Sequence, residues 1–183
     1  MGIRIVVEME RVMTQTFSGR KAMGAIGSPV FLVTSAYDGE RAIMTANMVA
    51  GISFKPPLVS VSLNNHSQTG KLAAAGGELV LNIIPASLME LAKKVGRSSG
   101  YKLDKFEEFA IGTIPGEVTS CPLVKDAVTA LECKIESATD IGLHSLYVAR
   151  VTAYHDLNPG TPLYLFHGRY FAIGEDLGSD TRS

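Results

Sequence analysis

Met44-Thr45-Ala46-Asn47-Met48, then Pro56-Pro57-Leu58-Val59-Ser60-Val61-Ser62-Leu63, then Ser67-Gln68-Thr69-Gly70-Lys71 follow one another between Met44 and Lys71. The stretch reads as two strands and the mouth of a helix. Val59, Val61 and Leu63 alternate with Ser60 and Ser62, the period-two pattern of a strand with one apolar face and one face of small hydroxyls. Pro56-Pro57 brings no backbone donor, so it belongs ahead of the paired residues. Asn64-Asn65 turns the chain into the helix. Small side chains leave room for a large flat group against the backbone; on the plainer reading, Ser60 and Ser62 face water.

Ser67 is a favoured N-cap, the run Leu72-Ala73-Ala74-Ala75 is strongly helix-forming, and Gly76-Gly77 supplies the stop. The first turn of such a helix exposes free N–H groups at the positive end of its dipole. Thr69 adds a hydroxyl there. Lys71 adds a cation where the dipole disfavours one, a conflict that a bound phosphate would relieve. The alternative is a simple cap and a solvated lysine. The third wall is Thr45-Ala46-Asn47-Met48, with small and amide residues. It follows the turn Asp38-Gly39 between Val30–Thr34 and Ala42–Met44, a hairpin signal.

The order of these pieces resembles the flavin reductase-like, FMN-binding split-barrel family. An apolar strand, a Thr/Ala/Asn-rich segment, Pro-Pro-x-Val-x-Val-Ser and a Ser/Thr helix start come in the family's order. With later matches the resemblance covers roughly residues 25 to 173. It implies bound FMN, a homodimer, and reduction by NADH or NADPH, with hydride passing from nicotinamide C4 to flavin N5 and on to a flavin or ferric acceptor. Thr45, Ala46, Asn47, Met48, Ser62, Leu63 and Asn64 would line the ring and ribityl chain. Ser67, Thr69 and Lys71 would hold the phosphate. The neighbouring possibility is a flavoredoxin-like carrier that keeps FMN bound and passes electrons between partners without turning over nicotinamide. A third is a split barrel that has lost flavin and holds another anion.

Outward from this centre, strands are expected at about 29–35, 41–50 and 58–63. Glu78–Ile84 reads as a buried strand ended by Pro85. Ser87 to Val95 reads as a helix with Ser87 as cap, Glu90 completing a capping box and Gly96 as stop. The long loop Gly96-Arg97-Ser98-Ser99-Gly100-Tyr101-Lys102-Leu103-Asp104-Lys105-Phe106 resembles the family segment that lies over the cofactor. By that likeness Lys105 meets the phosphate or the ring; otherwise Asp104 and Lys105 form an exposed pair. Leu131, Cys133 and Ile135 alternate with Glu132, Lys134 and Glu136, a half-exposed strand with Cys133 as a small inert hydrophobe. His144–Tyr154 is the next strand. Leu163–Phe166 and Tyr170–Ile173 form a last hairpin around His167-Gly168-Arg169. A short strand is expected at Ile3–Val7. The whole, 1–183, reads as one domain, with an arm over about 1–25 and a flexible tail over about 174–183. Regularly spaced short strands with two helical patterns give a mainly β class with short helices and a small closed barrel of Greek-key type.

Composition agrees. The 183 residues suit one domain, and 46% hydrophobic content supports a core. With 17 basic and 18 acidic residues, net charge −1, no electrostatic footprint for nucleic acid or anionic membrane is present. No apolar run approaches the roughly 20 residues of a membrane span, and the opening residues are charged too early for a secretory signal. Cys121 and Cys133 make neither a disulfide framework nor a zinc pattern, and a cytoplasmic protein is expected. The four histidines, His66, His144, His155 and His167, lack chelating spacing, so no metal is expected. In the family His144's position often follows Gly-Asp and lies near the nicotinamide. Here it follows Gly142-Leu143, without the carboxylate that would orient the imidazole, and a structural histidine is the other reading. His167 and Tyr170 match the family's final hairpin, where packing with possible ring contact is expected.

Overall fold

A computed structural model describes residues 19–178. The expected strand at Ile3–Val7, most of the arm and the end of the tail lie outside the described residues. After helix α1 (Gly19–Gly24) come strands β1 (Ser28–Pro29), β2 (Phe31–Tyr37), β3 (Glu40–Ala46), β4 (Val49–Phe54) and β5 (Pro57–Asn64). Helix α2 (Gln68–Gly76) leads to β6 (Glu78–Ile83), a 3₁₀ turn (Ala86–Leu88), α3 (Met89–Arg97) and α4 (Lys105–Glu108). The rest is β7 (Thr113–Ile114), β8 (Leu123–Val124), β9 (Thr129–Ile141), β10 (His144–Asp156), β11 (Leu163–Phe166) and β12 (Arg169–Ala172).

Seven strands form one antiparallel sheet in the order β3-β2-β6-β9-β10-β5-β4, with a small sheet β1-β11-β12 beside it. The expected closed barrel does not form. The ladder stops at β3 on one edge and β4 on the other, although these strands are consecutive in the chain. Only Asn47-Met48 separates them, so Ala46 and Val49 lie at most about 11 Å apart and the sheet must roll until its edges meet at that corner. The expected single strand over 41–50 is broken at that corner. There Asn47 turns its amide onto Ser28 Oγ (3.2 Å) and the Met48 carbonyl accepts from Ser62 N (2.9 Å).

Alternation along β2 separates two cores. Phe31 and Val33 face an inner cluster with Val59, Val61, Leu63, Leu81 and Tyr147. Val30 and Leu32 face an outer one with Ile43, Ile84, Val95, Phe106 and Leu163. The apolar face read in β5 is therefore the inner lining, and Ala73 of α2 packs against it. Glu132 departs from the expected half-exposed pattern: it is fully buried. The turn at 116–119 folds over it, and its carboxylate accepts from the amides of Glu117, Val118 and Thr119, from the Thr119 hydroxyl and from His155 Nε2. The α3 caps also differ. Ser87 lies in the 3₁₀ turn, Glu90 pairs with Lys93 (2.7 Å), and Gly96 is inside the helix. A Cβ on Gly96 would come within 3.3 Å of Thr45 Cβ, so the glycine permits α3 to approach β3 instead of ending the helix.

Candidate flavin site

The mouth of α2 is built as the sequence predicts. Ser67 sits in extended backbone and its Oγ accepts from Gly70 N (3.0 Å) while donating to Asn64 O (2.7 Å). The helical ladder starts with Lys71 N to Ser67 O (3.1 Å). The amides of Gln68 and Thr69 point out of the first turn, where no intrahelical acceptor exists. Gly77 closes the helix in the left-handed region (φ 69°), its N–H on Ala73 O. Two buried side chains fix the mouth against the sheet: Ser35 Oγ donates to Thr69 O (2.9 Å) and Tyr147 OH to Gly70 O (3.2 Å).

In front of the mouth is a cleft of ≈ 280 Å³. One wall is Ile43–Thr45 of β3, a second is Asn64 and His66–Thr69, and a third is the end of α3 with Ser98–Tyr101; Lys105 closes the back. Five predicted residues meet here: Thr45, Asn64, Ser67, Thr69 and Lys105. Thr69 is only 2% exposed, and its hydroxyl makes no hydrogen bond among the described residues. The Thr45 hydroxyl is already committed to Ala92 O (2.6 Å).

Lys105 is not an exposed partner of Asp104. It is 5% exposed, and its ammonium donates to Ile43 O (3.1 Å) and Val95 O (2.8 Å). Burial pushes its pKa down. Asp104 instead caps α4, accepting from Phe106 N (2.8 Å) and Glu107 N (3.4 Å).

Other predicted residues lie outside this cleft. Ala46 and Leu63 are buried in the inner core, so any ligand meets only their backbone. Asn47, Met48 and Ser62 stand at the open corner between the sheet edges, with Met48 half exposed. Lys71 does not line the cleft; its Nζ lies 5.1 Å from the centroid of Tyr101, which does. His144 pairs across the sheet with Asn64, one strand from the mouth, beside the 69% exposed Leu143. His167 occupies the β11–β12 turn at φ 47°, donates its amide to Gly24 O (2.7 Å) and packs against Phe166. Tyr170 packs against the outer core with Lys93 Nζ 5.4 Å from its ring.

Sequence reasoning weighed His66 only as a metal ligand and quoted Gln68 only as part of the helix start. It quoted Ser98, Ser99, Gly100 and Tyr101 only as a loop. The available signal was the length of that loop. Among the described residues no group of three or more His, Cys, Asp or Glu could hold a metal ion, and no helix is long and apolar enough to cross a membrane.

A cleft of strand, helix mouth and covering loop, with open amides and a hydroxyl at one end, fits a phosphorylated ligand with a flat body. Comparison decides the family: the flavin reductase-like domain model matches residues 23–174. The chain belongs to the flavin reductase-like family. This flavin reductase-like chain is 30% identical over 155 residues to the FMN reductase (NADH) RutF 2 of Methylorubrum extorquens, covering 84% of itself and 87% of that protein. Its fold matches the NADH:FAD oxidoreductase SgcE6 of Streptomyces globisporus with TM-score 0.79 at 21% identity, over 89% of this chain and 96% of that one. It also matches a flavoredoxin from Methanosarcina acetivorans with TM-score 0.77 at 21% identity, over 86% and 90%. The mainly β class and the oxidoreductase reading stand on these likenesses.

Proposed function

We propose that this protein is a cytoplasmic NAD(P)H:flavin oxidoreductase that takes FMN in the α2 cleft. The supporting observation is the open amide pair of Gln68 and Thr69, joined at one cleft by a Thr69 hydroxyl that has no hydrogen-bond partner among the described residues. These groups suit a dianionic phosphate at the positive end of the helix dipole. Lys71, held over Tyr101 of the cleft wall, adds a cation beside the same site. Ser67 serves by shaping the turn, since both its hydrogen bonds are internal. Lys105 supports the cleft from behind through two carbonyls, and one of its three N–H groups is left for a ligand oxygen.

The ring would lie from the cleft along Thr45–Met48, Ser62, Leu63 and Asn64, with its polar edge towards the backbone of the open sheet corner. When bound, FMN supplies the redox chemistry, taking hydride at N5 from a reduced nicotinamide. The chain's own task is to hold the phosphate, orient the ring and leave one ring face open to the donor. His144 stands one strand away on that side. Met48, Ile52 and Phe54 expose apolar surface along the unpaired edge of β4. A second copy covering that edge would complete the ring's enclosure, which is our reading of a homodimer; the final electron acceptor is a further partner.

The deciding experiment is anaerobic mixing of flavin-loaded protein with NADH or NADPH. Prompt bleaching of the oxidised flavin band supports the enzyme. A bound flavin that stays oxidised rejects it and favours the electron carrier, a reading that the exposed Leu143 beside His144 also supports.

A further inference from the structure

Helix α2 offers the sheet little to grip. Its buried face is Thr69, Gly70, Leu72 and Ala73, with Leu72 the one large apolar side chain among them. Burial of so smooth a face is non-directional and leaves the rotation of the helix about its own axis poorly fixed. Yet that rotation decides the site. Successive residues are spaced by about 100° around an α-helix, so a rotation of one residue step would swing the Gln68 and Thr69 amides off the cleft.

Two hydroxyls supply the missing direction. Ser35 Oγ of β2 donates to Thr69 O (2.9 Å), and Tyr147 OH of β10 donates to Gly70 O (3.2 Å). Both side chains are buried, Ser35 completely. In a flat sheet β2 and β10 would stand about 14 Å apart, with β6 and β9 between them. The roll of the sheet turns both side chains onto consecutive carbonyls of one helical turn. One such bond is a pivot; a second, from another strand, removes the swivel. Each carbonyl also accepts the N–H four residues on within α2, so the hydroxyls are not needed to satisfy it. The approach to β2 is close: a Cβ on Gly76 would lie 2.9 Å from the carbonyl oxygen of Ala36, the residue after Ser35. Neither Ser35 nor Tyr147 lines the cleft.

Resting on the phosphate reading, we propose that Ser35 and Tyr147 are positioning residues that set the affinity for the flavin phosphate without touching it. Their hydroxyls hold the rotation of α2 that aims the Gln68 and Thr69 amides at the phosphate oxygens, and a hydrogen bond weakens steeply once it is misaligned. They thereby set the preference for FMN over riboflavin, which has the same ring and no phosphate.

The test compares FMN and riboflavin dissociation constants, measured by flavin fluorescence on the full chain, for wild type, Ser35→Ala and Tyr147→Phe. Tyr147→Phe keeps the ring in the inner core and orphans no carbonyl, so the comparison stands on a folded protein. Each variant should weaken FMN by about fivefold, the scale of one neutral hydrogen bond, and riboflavin by less than about twofold. Equal weakening of both flavins, the mark of general damage to the cleft, overturns the positioning role. Unchanged FMN affinity in both variants overturns it too. Wild type that binds FMN no more tightly than riboflavin, or binds neither, overturns the phosphate reading and this role with it.

Discussion

Replacing Glu132 by Gln should unlock the turn at 116–119 and cost the fold several kcal/mol. The carboxylate is fully buried on β9. Burial alone would raise its pKa. The hydrogen bonds from the Thr119 hydroxyl, the Glu117 and Val118 amides and His155 more than offset that. They bring the pKa from 4.5 to about 2, and at about 1.4 kcal/mol per pH unit this is worth about 3 kcal/mol of folding free energy. A carboxamide is neutral, and its NH₂ must face at least one N–H that now finds an oxygen. At about 2–4 °C per kcal/mol for a chain of this length, the melting temperature should fall by about 6–12 °C at pH 7.

The pH dependence is the sharper test. A depressed carboxylate pKa stabilises fully above the unfolded value of 4.5 and loses its contribution as pH falls towards 2. Wild type should therefore surrender about 2 of those roughly 3 kcal/mol by pH 3, while the Gln variant has no such dependence. Urea unfolding of both proteins at pH 7 and pH 3 measures the gap. A gap below about 1 kcal/mol at pH 7, or one of equal size at both pH values, refutes the reasoning.

Other expectations follow from the same geometry. Thr69→Ala/Lys71→Ala should weaken FMN binding by about tenfold or more, since charge-assisted phosphate bonds contribute about 1.5–3 kcal/mol each; unchanged affinity in a flavin titration rejects the phosphate site. Ser67→Ala should lower stability by about 1 kcal/mol in denaturant unfolding, because Gly70 N loses its cap. Lys105→Met leaves the Ile43 and Val95 carbonyls without a donor and should cost about 1–3 kcal/mol, with no loss indicating that the apolar stem alone holds the site. Burial pushes the thiols of Cys121 and Cys133 up to about 11 and about 12. Folded protein at pH 8 should resist a thiol reagent that labels both cysteines at once in denaturant, and rapid labelling of the native protein contradicts their burial.

The helix mouth was legible because its determinants are local. A Ser, two residues of first turn, a small Gly70 and a run of alanines specify a capped helix whatever surrounds them, and α2 follows that script. The inner face of β5 was legible for a similar reason: strict alternation gives only one way to bury Val59, Val61 and Leu63. Glu132 was misread by the same rule. Its neighbours alternate correctly, but a distant turn covers the outer face and brings four donors to the carboxylate, with His155 of β10 adding a fifth, and nothing in the strand announces that turn.

The sequence by itself determined most of the strands and the capped helix with its open first turn, all set by neighbours a few residues apart. Tertiary structure alone decided that the sheet rolls without closing, that Lys105 turns inward to two carbonyls, and that Ser35 and Tyr147 meet on one turn of α2. Those outcomes depend on contacts between segments dozens of residues apart, where burial and hydrogen-bond satisfaction outweigh local preference.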